Sequence, residues 1–315
     1  MILCGGDALI DFVPVTRDGE EAFVPKPGGA VLNTATALAR LGQGVTFIGG
    51  VSTDLFGDKL IRHMEREGID TRHVARTPHD CTLAFVTLAS GEARYAFYDD
   101  TSAGRRWDGI DPVPEADCLH IASVTLIADP SASAYAELAE RVSPSMVVSL
   151  DPNCRPTLIR DRDPYAQRIK RIAAVSHIVR FSDEDFAYLY PGTDEAAVAA
   201  TLLTDRTKLV LISRGPGGAT AFWAGGRVDI GAQPVDLADS IGAGDTFHAG
   251  ILTALARAGR LSLDGLAALD RSTIEQALTF ASTAAALNCQ RLGCNPPDLP
   301  AVEAEMARLT GRADA

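Results

Sequence analysis

The segment Asp239-Ser240-Ile241-Gly242-Ala243-Gly244-Asp245-Thr246-Phe247 puts two glycines and an alanine directly before a carboxylate. Phe247, Ile251, Leu252 and Leu255 then recur at three- and four-residue spacing, the period of a helix with one apolar face. The segment therefore reads as a glycine turn opening a helix, where free N–H groups and the positive end of the helix dipole gather. Such a turn holds a phosphate or a developing negative charge. A carboxylate there would repel an anion that was merely bound. It makes chemical sense if Asp245 removes a proton from a hydroxyl that then attacks the phosphate, which is phosphoryl transfer to an alcohol.

Other candidate residues are weaker taken singly. Pro27-Gly28-Gly29-Ala30-Val31-Leu32-Asn33 leads into a helix ending near Gly42. Gly28 and Gly29 permit close approach of backbone to a ligand, and Asn33, one turn in, offers donor and acceptors that suit vicinal hydroxyls. A Gly-Gly pair is also an ordinary loop breaker. Asp11 reads equally as a strand-end carboxylate facing water and as an acceptor for sugar hydroxyls. Ser213-Arg214-Gly215-Pro216-Gly217-Gly218 follows a strong strand pattern and suits the lining of a nucleotide site. No Walker A loop and no early Gly-x-Gly-x-x-Gly is present, which argues against a P-loop enzyme and an NAD-linked dehydrogenase. The six histidines lack metal-ligand spacing, and no Gly-x-Ser-x-Gly elbow occurs.

These residues need a scaffold. Short apolar runs at Met1–Gly5, Val45–Gly49, Cys118–Ala122, Met146–Leu150, His177–Phe181 and Lys208–Ser213 alternate with helical patterns at 54–67, 131–141, 164–174, 183–190, 245–258 and 273–288. The alternation predicts an α/β fold, a doubly wound, mostly parallel sheet covered on both faces. Ligands then sit beyond the carboxyl ends of strands, where Asp151, Asn153, Ser182, Asp185, Ser213 and Arg214 fall. Two β-rich stretches break the pattern: Ala8–Val15 with Ala22–Pro25, and Cys81–Ala89 with Ala93–Asp99 joined by Ser90-Gly91-Glu92. They predict a small inserted sheet over the site, a lid built from about residues 9–27 and 80–105. The chain from Pro300 onward reads as a short capping helix.

The 315 residues are 46% hydrophobic and carry a formal charge of −12, enough for one large domain and the wrong sign for a nucleic-acid partner. No run is long and apolar enough to span a membrane, and the N-terminus lacks a signal-peptide pattern, so a cytoplasmic location is expected. The six cysteines form no CxxC and read as free thiols in a reducing compartment.

Gly28-Gly29-x-x-x-Asn33 and Gly242-Ala243-Gly244-Asp245, in this order and so far apart, resemble the two signatures of the PfkB family of carbohydrate kinases, the ribokinase-like group. The resemblance runs from Leu3 to about Pro297. Ala96-Phe97-Tyr98-Asp99, Ser102-Ala103-Gly104-Arg105 and Asp151-Pro152-Asn153-Cys154-Arg155-Pro156 look most like the fructokinase branch. The resemblance implies a single ribokinase-like kinase domain over 1–315 that passes the γ-phosphate of ATP to a hydroxyl of a ketohexose, fructose first. A 2-keto-3-deoxygluconate kinase is the sibling alternative, and a non-catalytic sugar or nucleotide sensor the alternative of another class. It further implies Asp245 as general base and the amides of Gly242, Ala243 and Gly244 as anion hole. Asp11, Gly28, Gly29, Asn33, Tyr98 and Arg155 would hold the sugar, and Ser182, Ser213, Gly215 and Gly218 the ATP. Mg²⁺ would act through water near Asp185, K⁺ beside Asp239, and a homodimer would form through the lid. Two positions depart from the family pattern. Ser182-Asp183-Glu184-Asp185 replaces Asn-x-x-Glu, and Pro297 stands where serine is common.

Overall fold

The computed structural model describes residues 1–89 and 92–313. The strands are β1 (Ile2–Gly5), β2 (Leu9–Arg17), β3 (Glu20–Gly28), β4 (Val45–Ser52), β5 (Val74–Thr77), β6 (Leu83–Ala89), β7 (Glu92–Tyr98), β8 (Cys118–Ala122), β9 (Val147–Asp151), β10 (Ile178–Ser182), β11 (Leu209–Ser213), β12 (Ala219–Trp223) and β13 (Gly226–Ile230). The helices are α1 (Ala30–Arg40), α2 (Leu55–Arg66), α3 (Ser131–Val142), α4 (Arg162–Val175), α5 (Asp183–Leu189), α6 (Glu195–Leu202), α7 (Ala243–Arg257), α8 (Leu263–Ala267), α9 (Arg271–Cys289) and α10 (Leu299–Ala313).

Among the described residues, these strands form two sheets. The larger has the order β13-β12-β11-β10-β9-β8-β1-β4-β5. It is parallel from β11 to β5, and β12 and β13 close one edge antiparallel. Its central strands are buried along their whole length, as an apolar run covered on both faces must be. One apolar core lies under α1, α7 and α9, including Ile2, Cys4, Leu38, Ile251 and Leu278. The other lies under α3, α4 and α5, including Leu3, Ile121, Tyr135, Ile169 and Phe186. The expected doubly wound α/β architecture is thus present, with strand boundaries within about two residues at most ends. Val45–Gly49 is the exception, because β4 runs on to Ser52 to pair with β5, which periodicity did not indicate.

The smaller sheet has the order β3-β2-β6-β7. β2 and β3 are longer than expected, because Asp18 (φ 54°) and Gly19 (φ 82°) turn one directly into the other. Asp-Gly with two positive φ angles is a hairpin signal that stood in the sequence unused. Of the second expected turn, Ser90 and Gly91 lie outside the described residues.

Candidate active site

Side-chain caps close most helix starts here: Asp54 on α2, Asp161 on α4, Ser182 on α5, Asp194 on α6 and Asp270 on α9. The start of α7 has no such cap. Gly242 occupies it at φ 74°, a left-handed conformation that glycine adopts freely, and offers no side chain to the amides that follow. Ala243 N–H donates to Ser240 O at 3.2 Å. Among the described residues the amides of Gly242, Gly244 and Asp245 have no acceptor. Of the three amides expected to form an anion hole, that of Ala243 is engaged in the turn, those of Gly242 and Gly244 are free, and the Asp245 amide is free beside them.

Asp245 sits in this first turn, buried to 6% exposure. Asn33 Nδ2 donates to its Oδ2 at 2.9 Å, and Asn153 Nδ2 to its Oδ1 at 3.2 Å. Two donors from distant elements therefore aim the carboxylate. Burial pushes its pKa up to about 7. Asp151 adds to the rise, while the Asn33 hydrogen bond, Arg155 and Arg180 oppose it. A carboxylate of that basicity suits general-base work at neutral pH.

Of the residues expected to hold a sugar, Asp11, Gly28, Gly29, Asn33 and Arg155 lie close together. Gly28 lies against Asp11: a Cβ at Gly28 would come within 2.0 Å of Asp11 Oδ2. Burial and the neighbouring Asp7 raise Asp11 to about 6, with Arg155 opposing. Gly29, at φ 105°, starts α1, and Asp7 caps it by accepting from Ala30 N at 2.9 Å and Val31 N at 3.2 Å. Asn33 is held by its amide on Gly29 O at 2.8 Å. Arg155 donates to the carbonyls of Asn153 and Cys154, and its charge reaches Asp7, Asp11 and Asp245. Tyr98 is exposed on the small sheet, with its ring edge-on to Phe85 at 5.7 Å. It lines a cleft of about 1140 Å³ between the two sheets' elements, shared with Phe97, Arg105, Leu158 and Ile159. Arg105 is paired with Asp99 at 2.5 Å.

Arg180 was not anticipated. It reads as a lone charge in an apolar strand, yet it is buried to 6% and donates to Asp151 Oδ2 at 2.7 Å and to Ser213 Oγ at 2.6 Å. Its guanidinium lies across Gly244, where a Cβ would meet Nη2 at 2.9 Å. A fixed cation thus stands beside the free amides of α7, and Gly244 must lack a side chain to admit it. Only the fold brings Arg180 to partners about thirty residues away on two neighbouring strands.

The remaining expected residues have structural duties. Ser182 caps α5, its Oγ accepting from Asp185 N. Asp185 accepts from Ser182 N at 2.9 Å and Cys154 N at 2.6 Å, tying α5 to the Asn153 loop. Asp239 accepts from Ile241 N and Gly293 N, bracing the glycine turn against the 293–297 loop. Asn288, also not anticipated, strengthens that brace by donating to Ile241 O and accepting from Asn295 N. Gly215 and Gly218 shape the turn after β11; a Cβ at Gly218 would lie 2.0 Å from Ile230 O. Among the described residues no hydrogen bond links those two glycines to the Asp245 cluster.

A family model described as pfkB family carbohydrate kinase matches residues 1–301. The chain is 43% identical over 282 residues to a fructokinase of Rhizobium leguminosarum bv. trifolii, covering 88% of this chain and 85% of that protein. A solved fructokinase of Xylella fastidiosa with bound ATP matches with a TM-score of 0.89 at 29% identity, over 98% of each chain. A fructokinase double mutant of Vibrio cholerae O395, in a form with fructose, ADP and potassium ion bound, matches with a TM-score of 0.84 at 26% identity, over 96% of this chain and 97% of that one. Among the described residues no helix is long and apolar enough to cross a membrane.

Proposed function

Because this chain belongs to the pfkB family of carbohydrate kinases, we propose that it transfers the γ-phosphate of ATP to a hydroxyl of fructose. The observation that carries the reading is Asp245, aimed by Asn33 and Asn153 within an uncapped helix turn and faced by Arg180. Asp245 takes the proton of the sugar hydroxyl as its oxygen attacks phosphorus, and the bond from phosphorus to the ADP oxygen breaks. Charge on the equatorial oxygens of the migrating group meets the Gly242, Gly244 and Asp245 amides and the Arg180 guanidinium. Donors fixed before the reaction need no reorganisation during it. Asp11, with Gly28 cleared beneath it, and Asn33 hold the sugar, and the lid carrying Tyr98 closes over it. Mg²⁺ on the nucleotide phosphates would offset their charge, and Asp185 would hold its water. K⁺ beside the Asp239 brace would stiffen the glycine turn.

Two observations favour fructose over a sugar acid. The relatives named above are fructokinases. The lid cation that a carboxylate substrate would seek, Arg105, is already neutralised by Asp99. A coupled ADP-release assay over a panel of ketoses, aldoses and 2-keto-3-deoxy acids tests the reading, with the highest kcat/KM expected for fructose. A preference for 2-keto-3-deoxygluconate would overturn the substrate, and no ADP release with any sugar would overturn the reaction.

A further inference from the structure

Ser149 and Asp151 alternate along the end of β9 and so share one face of the sheet, while Asn153, in the loop just beyond it at φ 44°, reaches the same site through its bond to Asp245. In a parallel sheet covered on both sides such positions ordinarily carry apolar side chains. Here Ser149 and Asp151 are 0% and 2% exposed, and each of the three grips a different part of the site. Asn153 holds Asp245, Asp151 holds Arg180, and Ser149 Oγ shares a 2.6 Å hydrogen bond with His248 Nε2. His248 follows Asp245 by three residues, so it lies about one helical turn further along α7. Its ring packs on His120 of β8 at a centroid distance of 4.7 Å, and the β8–β9 register sets His120 beside Ser149.

This layer is costly. Among the described residues His120 Nδ1 and Nε2 and His248 Nδ1 are buried without a protein partner. Each such atom is destabilising relative to a satisfied or apolar one. Leucine at these places would pack without that cost. What leucine cannot do is fix the height and rotation of a helix, which a short directional bond does.

We propose that His248 is a positioning residue, whose bond to Ser149 sets the first turn of α7 against β9 so that Asp245 and the free amides meet the reacting atoms in register. The inference rests on the kinase reading above. It is tested by Ser149→Ala and His248→Leu, with His248→Gln as the variant whose amide restores a polar partner for Ser149. Ser149→Ala and His248→Leu each lower kcat for ADP release about 10- to 100-fold, the scale of a small misplacement of reacting groups. KM for fructose and ATP stays within twofold, the double variant is no slower than the slower single one, and His248→Gln recovers most of the loss. Wild-type kcat in Ser149→Ala, a loss carried by KM, or additive losses in the double variant would overturn it. A wild-type protein that releases no ADP with any sugar overturns the kinase reading and this inference together. An active wild type with an equally active Ser149→Ala overturns this inference alone.

Discussion

Asp245→Asn separates catalysis from stability in opposite directions. The carboxylate is raised to about 7 in the folded chain by burial, against about 3.9 for a free aspartate. The folded state therefore holds a proton that the unfolded chain has lost, and stability falls as pH rises from about 4 through about 7. Integrated over that window, the raised pKa costs the wild type about 4 kcal/mol at pH 8 and about 2 kcal/mol at pH 5. Asparagine has the shape of the protonated acid and never incurs this cost. Asp245→Asn is thus expected to be more stable than wild type, by about 2–3 kcal/mol more at pH 8 than at pH 5. The other raised carboxylates, Asp7, Asp11 and Asp151, occur in both proteins, so their slopes largely cancel in the difference. Urea denaturation of the ligand-free pair at the two pH values reads it directly. In a coupled assay the same variant loses at least ~10²-fold in kcat, the low end for loss of a general base. A stability difference flat between pH 5 and 8, or turnover near wild type, would refute the assignment of Asp245 as a desolvated base.

Three further outcomes are expected. Gly28→Ala puts a methyl 2.0 Å from Asp11 Oδ2 and must displace that carboxylate; KM for the sugar rises about tenfold or more, since about 1.4 kcal/mol suffices, with KM for ATP unchanged in initial-rate kinetics. Arg180→Met removes the cation across Gly244 and leaves Asp151 buried alone. Turnover falls about 10²- to 10³-fold and urea melts show about 3–5 kcal/mol of destabilisation; Arg180→Lys, which keeps the charge but not the fork, falls between. In the wild type, kcat/KM climbs with pH and levels off above about 7, as titration of Asp245 requires. Asn33→Leu deletes the hydrogen bond that lowers that pKa, so the acid limb of the pH–rate profile moves to higher pH. An unmoved limb would assign it to another group.

The sequence carried the local parts of this site and missed the long-range ones. The glycine turn of α7 and the Gly-Gly start of α1 announce themselves through residue types that only special backbone accommodates. The strand ends bearing Asn153 and Ser213 follow from the alternation of apolar runs and helices. Arg180 gave no such signal: one arginine in Ile178–Ser182 looks like an exposed edge residue until β9 and β11 flank it. His248 reads as core packing because its partner, Ser149, is 99 residues away. Asp7 was likewise silent, since the helix it caps begins 23 residues downstream. Asp185 carries a structural duty that the sequence did not show. The change from glutamate to aspartate shortens the side chain, and here both of its oxygens reach backbone amides of the adjoining loops.

The charge balance of the site explains how a base and an anion hole coexist in one helix turn. Asp7, Asp11, Asp151 and Asp245 surround the guanidiniums of Arg155 and Arg180, within a chain whose net charge is −12. With every carboxylate ionised this enclosure would be anionic and would repel a nucleotide. Burial raises all four, Asp11 and Asp151 to about 6 and Asp245 to about 7, so near neutral pH Asp245 is the most readily protonated of these three, while Asp151 keeps its charge against Arg180. Asp151 then does two things at once. Its bond to Arg180 fixes the cation against Gly244, and its own negative charge raises the basicity of Asp245. The free amides attract phosphate without adding a full charge that would lower Asp245 further. The arrangement therefore depends on dipoles for the anion and on desolvation for the base. Either feature alone would be an ordinary helix start or a buried acid; in the proposed roles, their placement within one turn would make proton removal and phosphoryl stabilisation a single event.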